Sequence, residues 1–367
     1  MDMYKSFFYD KLQVLEPEDR EVEEWERLKL MERPLLSWYQ DQKRILPWRD
    51  NPTPYGVWIS EIMLQQTRVE AVKPYYHRFM EALPGITDLA AVSEDRLLKL
   101  WEGLGYYSRA KNLQKAASLV MERYNGELPA SFEELLSLPG IGSYTAGAIA
   151  SIAFHIPVPA VDGNVLRVFS RVTGSEEDVL KQSVKRRIED KLREAMPKED
   201  PGSYNQALIE LGAMVCIPNG NPLCERCPLE SLCIAKKKEL TSVIPVKTPK
   251  KSRKAEDRTV LLLLKDGKVA IQKRKDTGLL ASLFEFPNLN GHVSKEDLPS
   301  ILGVTEAKIT SLSASKHIFS HVEWHMIGYW IELKNIPVSD YLWILPEDLK
   351  KTYSLPSAFK AYTKLIR

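Results

Sequence analysis

Four cysteines fall close together, in the pattern Cys216-x7-Cys224-x2-Cys227-x5-Cys233, and the chain has no others. Scattered cysteines would suggest buried thiols or disulfides, but four thiols joined by short loops can converge on one centre and suggest a metal site. Either a zinc ion or an iron–sulfur cluster accepts four sulfurs. Zinc sites favour two close pairs, and here only Cys224 and Cys227 form one. The asymmetry leans toward a cluster. No histidine or carboxylate constellation surrounds it, so a structural role is expected.

A second concentration of chemistry lies in "SLPGIGSYTAGAIA", residues 137–150. Pro139 and Gly140 make a tight turn, and Gly142 allows close backbone approach. A helix of small residues follows. Its first N–H groups would point outward, a geometry suited to a phosphate oxygen. Such a turn between helices grips a nucleic-acid backbone without reading bases. Plain helix–helix turns use the same residues, so the motif alone is only moderately specific. Tyr144 stands at its rim. Downstream, "PVPAVDGNVLRV" sets Asp162 just before an apolar helix. The ordinary role there is a helix N-cap; the chemical one is a carboxylate held near the clamp.

These residues need elements to hold them. From Pro34 to about Arg171 apolar positions recur at three and four with short Gly/Pro breaks, the pattern of packed helices. Ser131 with Glu134 completes a capping box, so a helix is expected to start near Ser131, whereas Ser93 with Arg96 lacks the acidic partner. Helical periodicity continues to about residue 235. Residues 236–258 then hold 9 Lys/Arg against 3 Asp/Glu, with two prolines. That run reads as a solvated linker, or as a strap touching phosphates. From Thr259 the pattern turns to strands. Asp266-Gly267 joins two of them as a hairpin, "HIFSHVEWHMIGYWIEL" is strand-like, and "PSAFKAYTKLI" reads as a closing helix. The expected layout is an acidic extension over 1–28, an all-α region over 29–235, a basic linker over 236–258 and an α+β domain over 259–367. No internal repeat is present.

Charge and composition set limits. The net charge is +2, yet residues 1–32 carry −5, which leaves a positive body. That balance is compatible with a polyanion partner. No stretch approaches the roughly eighteen apolar residues of a membrane span, and the acidic N-terminus lacks a signal-peptide layout. A cytoplasmic protein is expected.

Together the motifs resemble the helix-hairpin-helix DNA glycosylases, and within them the adenine DNA glycosylases. The matching stretches are "LPWRDNPTPYGVWISEIMLQQTRVE", "WEGLGYYSRAKNL", "LPGIGSYTAGAIASIAF", "AVDGNVLRV", "YNQALIELGAMVC", the cysteines, "DTGLLASLFEFP" and "FSHVEWH". They span residues 33–367. The resemblance implies a six-helix helix-hairpin-helix module, a [4Fe–4S] module and a C-terminal domain related to the Nudix hydrolases. The family pattern has one residue fewer between its first two cysteines. A loop can absorb one residue, so Cys216, Cys224, Cys227 and Cys233 are all taken as ligands.

The resemblance also implies a reaction: release of adenine mispaired with 8-oxoguanine or guanine in duplex DNA, by a monomer, in the bacterial cytoplasm at the nucleoid. Such an enzyme must flip the nucleotide out of the helix. Breaking the C–N bond then calls for an acid on the base and an anion beside the sugar cation, a logic like two-carboxylate glycoside hydrolysis. Glu61 matches the acid, which also handles the water. It lies among Ile59, Ile62, Met63 and Leu64, where desolvation would favour its protonated form. Asp162 matches the anion, acting directly or through a covalent intermediate, with Asn164 and Tyr144 positioning it or the water.

Trp48 and Arg49 match the adenine pocket. Gln65, Gln66 and Thr67 match the strand interface, and Leu104 and Tyr106 the wedge that fills the vacated stack. Gly140 and Gly142 match the clamp. Read singly, most of these are packing residues. Glu210 is either a second site carboxylate or a buried ion-pair partner. Ser320 and His321 match the reader of 8-oxoguanine, whose edge differs from guanine by an N7–H donor and a C8 carbonyl. The Glu-rich motif of Nudix hydrolysis is missing after "FEFP", so this domain should recognise and not hydrolyse.

Two other readings compete. An endonuclease III-like lyase needs a lysine where this chain has Tyr144, and a phenol cannot form the imine. A mismatch-binding protein without activity would have no use for both Glu61 and Asp162.

Overall fold

The computed structural model describes residues 23–249, 252–334 and 341–366. Within them the chain divides into two compact units, one of residues up to Arg44 with His155–Thr248, the other of Ile45–Phe154 with Pro249–Arg367.

The first unit is helical. Its principal helices are Glu24–Leu30, Glu32–Gln42, Gly163–Thr173, Gln182–Ala195 and Pro201–Met214. Their apolar faces share one core, in which Leu28, Met31, Leu35, Val168, Leu192 and Leu211 are each at most 1% exposed. The helix Glu24–Leu30 crosses the expected boundary at residue 28, and Leu28 joins the core, so the acidic extension gives its last residues to the fold. The rest of that extension, residues 1–22, lies outside the described residues. The expected free linker is also corrected in part. Ile244 is 1% exposed, Arg171 donates to the carbonyls of Ile244 (2.8 Å) and Thr241 (2.7 Å), and Val179 N donates to Val246 O. A buried arginine satisfied by carbonyls holds this stretch down despite its basic flanks.

The second unit combines helices with a sheet. Its helices include Pro54–Leu64, Val69–Ala82, Glu94–Trp101, Ser108–Arg123, Phe132–Ser137 and Ser143–Phe154. Ser131 caps its helix by accepting from Glu134 N, as the capping box foretold. Ser93 makes no side-chain cap. The helices Pro54–Leu64 and Val69–Ala82 are separated by a break in which Gln66 takes a positive φ of 60°.

The strands are β1 (Lys254–Lys265), β2 (Lys268–Lys273), β3 (Phe284–Glu285), β4 (Asn288–Asn290), β5 (Ala307–Ile318), β6 (Val322–Leu333) and β7 (Leu342–Ile344). They form one mixed sheet in the order β3-β2-β1-β6-β5, with β4 on β1 and β7 on β2. β1 and β6 are parallel; the other pairs are antiparallel. Asp266 and Gly267 both take positive φ, 49° and 74°, as a two-residue hairpin requires. The apolar run of β1 is explained by its centre: Val260 and Leu262 face one core, Leu261 and Leu263 the other. The expected closing helix is a single turn, Lys360–Thr363, after a 3-10 turn. The sheet is tied to the helices of its own unit at Ser354, whose Oγ donates to Leu98 O (3.1 Å), and at Leu355, whose N donates to Glu102 (2.9 Å). Among the described residues no helix is long and apolar enough to cross a membrane.

Candidate active site

The helix Pro54–Leu64 carries Glu61. Thr53 caps it, accepting from Gly56 N at 3.0 Å, and Pro54 supplies a preset φ at its first position. Every residue from Tyr55 to Met63 is buried. The helix therefore has no solvated face, and Glu61 is carried inward at 8% exposure. Tyr144, on the first turn after the hairpin, donates its hydroxyl proton to Glu61 Oε2 at 2.5 Å. Gly140 sits at φ 78°, and a Cβ there would lie 2.6 Å from Asn112 Cβ; glycine is required on both counts. No protein atom lies within 4 Å of a Cβ placed at Gly142, so its near side is open.

Trp48 is buried and packs edge-on against Tyr76 at 5.4 Å. Arg49 is half-buried, its backbone bonded to Leu46 O. Gln65 Nε2 donates to Thr145 Oγ1 at 3.4 Å, Gln66 is exposed, and Thr67 Oγ1 donates to Gln65 O. The two residues expected at the wedge differ in exposure. Gly103 and Gly105 take positive φ of 101° and 70°, and this winding turns Leu104 inward, to 6% exposure, while Tyr106 projects at 46%. Of the two residues expected at the wedge, Tyr106 therefore reaches the surface in this structure and Leu104 does not.

Ser320 and His321 are exposed at the turn between β5 and β6. Ser320 Oγ lies 2.7 Å from the Tyr106 hydroxyl, and either can donate. A cleft of about 950 Å³ opens beside them, lined in part by Lys111, Lys115, Arg253 and His321. Cations and a projecting aromatic ring in one groove suit a nucleic-acid strand.

The second carboxylate belongs to the other unit. Asp162 caps the helix Gly163–Thr173: Oδ1 accepts from the backbone N–H groups of Asn164 and Val165, each at 2.8 Å. Asn164 Nδ2 donates to Oδ2 at 2.7 Å. Burial pushes the carboxyl above the ordinary carboxylate range, opposed by these hydrogen bonds and by the charge of Arg167. The N-cap role expected of Asp162 is the one observed. Arg167 fixes Asn164 in turn. Its Nη2 donates to Asn164 Oδ1 and Gly212 O, both at 2.8 Å, and its Nε to Cys216 O at 2.7 Å. Glu210 is fully buried and grips Arg44 from two oxygens, at 2.7 Å and 2.8 Å. It is the ion-pair partner of the two alternatives.

All four cysteines line one cavity, with Arg171 and Lys236. Arg171 Nη1 approaches Cys216 Sγ at 3.2 Å. Burial pushes the Cys227 thiol up to about 12 and raises those of Cys224 and Cys233. Thiols placed so form thiolates when a cation arrives, which is how metal binding and proton release are linked. Among the described residues no three His, Cys, Asp or Glu side chains converge on a single ion.

Residues 59–194 match the HhH-GPD superfamily of base excision DNA repair proteins, and residues 259–365 match the NUDIX domain. An adenine DNA glycosylase of Mus musculus is 35% identical over 366 residues, covering 83% of this chain and 71% of its own. One from Buchnera aphidicola (subspecies Schizaphis graminum) is 34% identical over 328 residues, covering 88% and 93%. The chain belongs to the adenine DNA glycosylase family. Among solved structures, a thermostable thymine-DNA glycosylase is similar to this adenine DNA glycosylase, with a TM-score of 0.53 and 27% identity over 58% of this chain and 97% of that one.

Sequence reading missed three of the supports described for these side chains. Arg167 and Arg171 interrupt an apolar helix face four residues apart, a signal that marks buried, satisfied arginines. Gly212 left no signal, although a Cβ there would lie 2.5 Å from Asn164 Cβ. Arg109 left none either, although its guanidinium meets the helix that carries Glu61.

Proposed function

We propose that this glycosylase hydrolyses the N-glycosidic bond of adenine mispaired with 8-oxoguanine or guanine in duplex DNA, and so starts base excision repair. The observation that carries the proposal is the Tyr144 hydroxyl on Glu61, which gives a buried carboxyl an oriented donor and puts a phenol where a lyase would need an amine. Glu61 protonates the leaving adenine and then directs water. Asp162, held by Asn164 and two backbone N–H groups, stabilises the sugar cation. Trp48 and Arg49 border the adenine, Gln65, Gln66 and Thr67 meet the strands, and Tyr106 fills the stack. Ser320 accepts from the N7–H of 8-oxoguanine, with His321 beside it. The Gly140–Gly142 turn holds a phosphate.

The four cysteines line one cavity and would hold a [4Fe–4S] cluster, which their single close pair, Cys224 and Cys227, favours over the two close pairs usual for zinc. When bound, the cluster supplies a cross-link between the loops at 216–233. The chemistry above runs on the chain's own residues. The monomer is expected to act in the cytoplasm.

The test is single-turnover release of adenine from an 8-oxoguanine:adenine duplex. Glu61→Gln and Asp162→Asn are each expected to slow it by ~100-fold or more. Unchanged release by both variants would sink the assignment. Borohydride trapping should give no covalent adduct.

A further inference from the structure

Arg109 lies one residue inside the helix Ser108–Arg123, a place where arginine ordinarily faces water. Here its guanidinium is turned inward onto five backbone carbonyls. Nη1 donates toward Ile62 (2.5 Å), Gln65 (2.8 Å) and Met63 (3.1 Å), at the end of the Glu61 helix. Nη2 donates to Leu104 and Gly105, both at 3.2 Å, in the loop that projects Tyr106. Carbonyls at a helix C-terminus have no partner within the helix and carry its negative end, so a cation there satisfies both needs. The planar fork of arginine serves two carbonyl groups in different directions at once; the single ammonium of lysine cannot.

The same side chain holds the wedge. The guanidinium carbon lies 5.3 Å from the ring centre of Trp101 and 5.7 Å from that of Tyr106. Arg109 N donates to Tyr106 O at 2.9 Å. Tyr106 sits at φ 48°, a strained value for an aromatic residue that persists only when its surroundings enforce it. On its far side its hydroxyl meets Ser320 at 2.7 Å.

Among the described residues, Arg109 Nε and Trp58 Nε1 are buried without a hydrogen-bond partner. Both residues line a cavity of about 90 Å³, together with Ile62, Gln65, Asn112 and Gly140.

We infer that Arg109 is a positioning residue that joins the wedge loop to the Glu61 helix, so that the contact made by Tyr106 and Ser320 sets the placement of Glu61. Glu61 directly precedes Ile62, the residue whose carbonyl Arg109 holds most closely. Opposite-strand readout thereby controls chemistry on the adenine. This rests on the roles of Tyr106 and Ser320 given under Proposed function.

Two assays on the full chain test it. In the first, hydrogen exchange of residues 54–67 is measured without DNA in the parent, Tyr106→Ala, Arg109→Lys and the double variant. Tyr106→Ala is expected to speed exchange about threefold or more in the parent background, the scale of coupling between contacting residues. It should add nothing in the Arg109→Lys background. Equal effects in both backgrounds, or no effect in either, overturn the inference whatever the chain does to DNA.

In the second, single-turnover adenine release is compared on 8-oxoguanine:adenine and guanine:adenine duplexes, with thermal melting and affinity for unmodified duplex as controls. Arg109→Lys is expected to melt near the parent and to bind duplex as the parent does. It should release adenine from the 8-oxoguanine duplex ~10-fold more slowly and lose the preference between duplexes. Ser320→Ala should lower that preference in the parent and leave it unchanged in the Arg109→Lys background. An equal loss in both backgrounds overturns the inference. A parent that releases no adenine, or shows no preference, overturns the functional reading instead and leaves exchange to decide on Arg109.

Discussion

The Tyr144 hydroxyl donates to Glu61 Oε2 across 2.5 Å, from the first turn after the hairpin to the middle of a helix buried on all sides. Tyr144→Phe keeps the ring and removes this one donor. A hydrogen bond to a neutral carboxyl is worth about 0.5–1.5 kcal/mol, so adenine release is expected to slow by ~3-fold or more, with duplex affinity unchanged. Release at the parent rate would show that the phenol orients nothing.

Asp162 gives the chain a pH signature. Burial holds its carboxyl above the ordinary range, so the folded chain binds this proton more tightly than the unfolded chain. As pH rises from about 3.9, the unfolded value, through the raised folded one, this group costs the fold stability; at lower pH both states are protonated and the cost vanishes. Asp162→Asn removes the titration. The melting temperature of the variant minus that of the parent is expected to grow between about pH 4 and about pH 7. A flat difference across that range refutes the account.

Much of this was legible in the chain. The capping box at Ser131, the Asp266-Gly267 turn and the N-cap at Asp162 are local, and local residue chemistry decides them. An acid in an apolar run told of Glu61's burial for the same reason. Leu104 was not legible, because two positive-φ glycines reverse which neighbour faces out. Nor was Arg109, three of whose five carbonyl partners lie over forty residues earlier in the chain. The docking of residues 241–246 depends on Arg171 arriving from another helix. Spacing reports a helix face; it does not report what that face meets.

Gly212 makes a sharper test of Asp162's support. Its missing Cβ leaves room for Asn164, whose Cβ would otherwise be 2.5 Å away and whose Cα would be 3.0 Å away. Gly212→Ala is expected to destabilise by about 1–3 kcal/mol through overpacking and to slow adenine release by displacing Asn164 from Asp162. Thermal melting and single-turnover rates measure the two effects separately.

Loss of one cysteine should be read in metal content before activity. Cys224→Ser is expected to lower iron and sulfide per chain, remove visible absorbance and lower the melting temperature, since ligand binding and folding share their free energy. A parent chain with one zinc and no iron would refute the cluster.

The helix Pro54–Leu64 has no residue between Tyr55 and Met63 that faces water. Inherited or engineered changes along it will therefore not sort into harmless ones and chemical ones. A substitution at Val57 or Ile59 is expected to lower the amount of folded protein, whereas one at Glu61, in its proposed role, leaves folded protein without activity. Both are expected to read as lost adenine release, and a measurement of how much folded protein is present tells them apart.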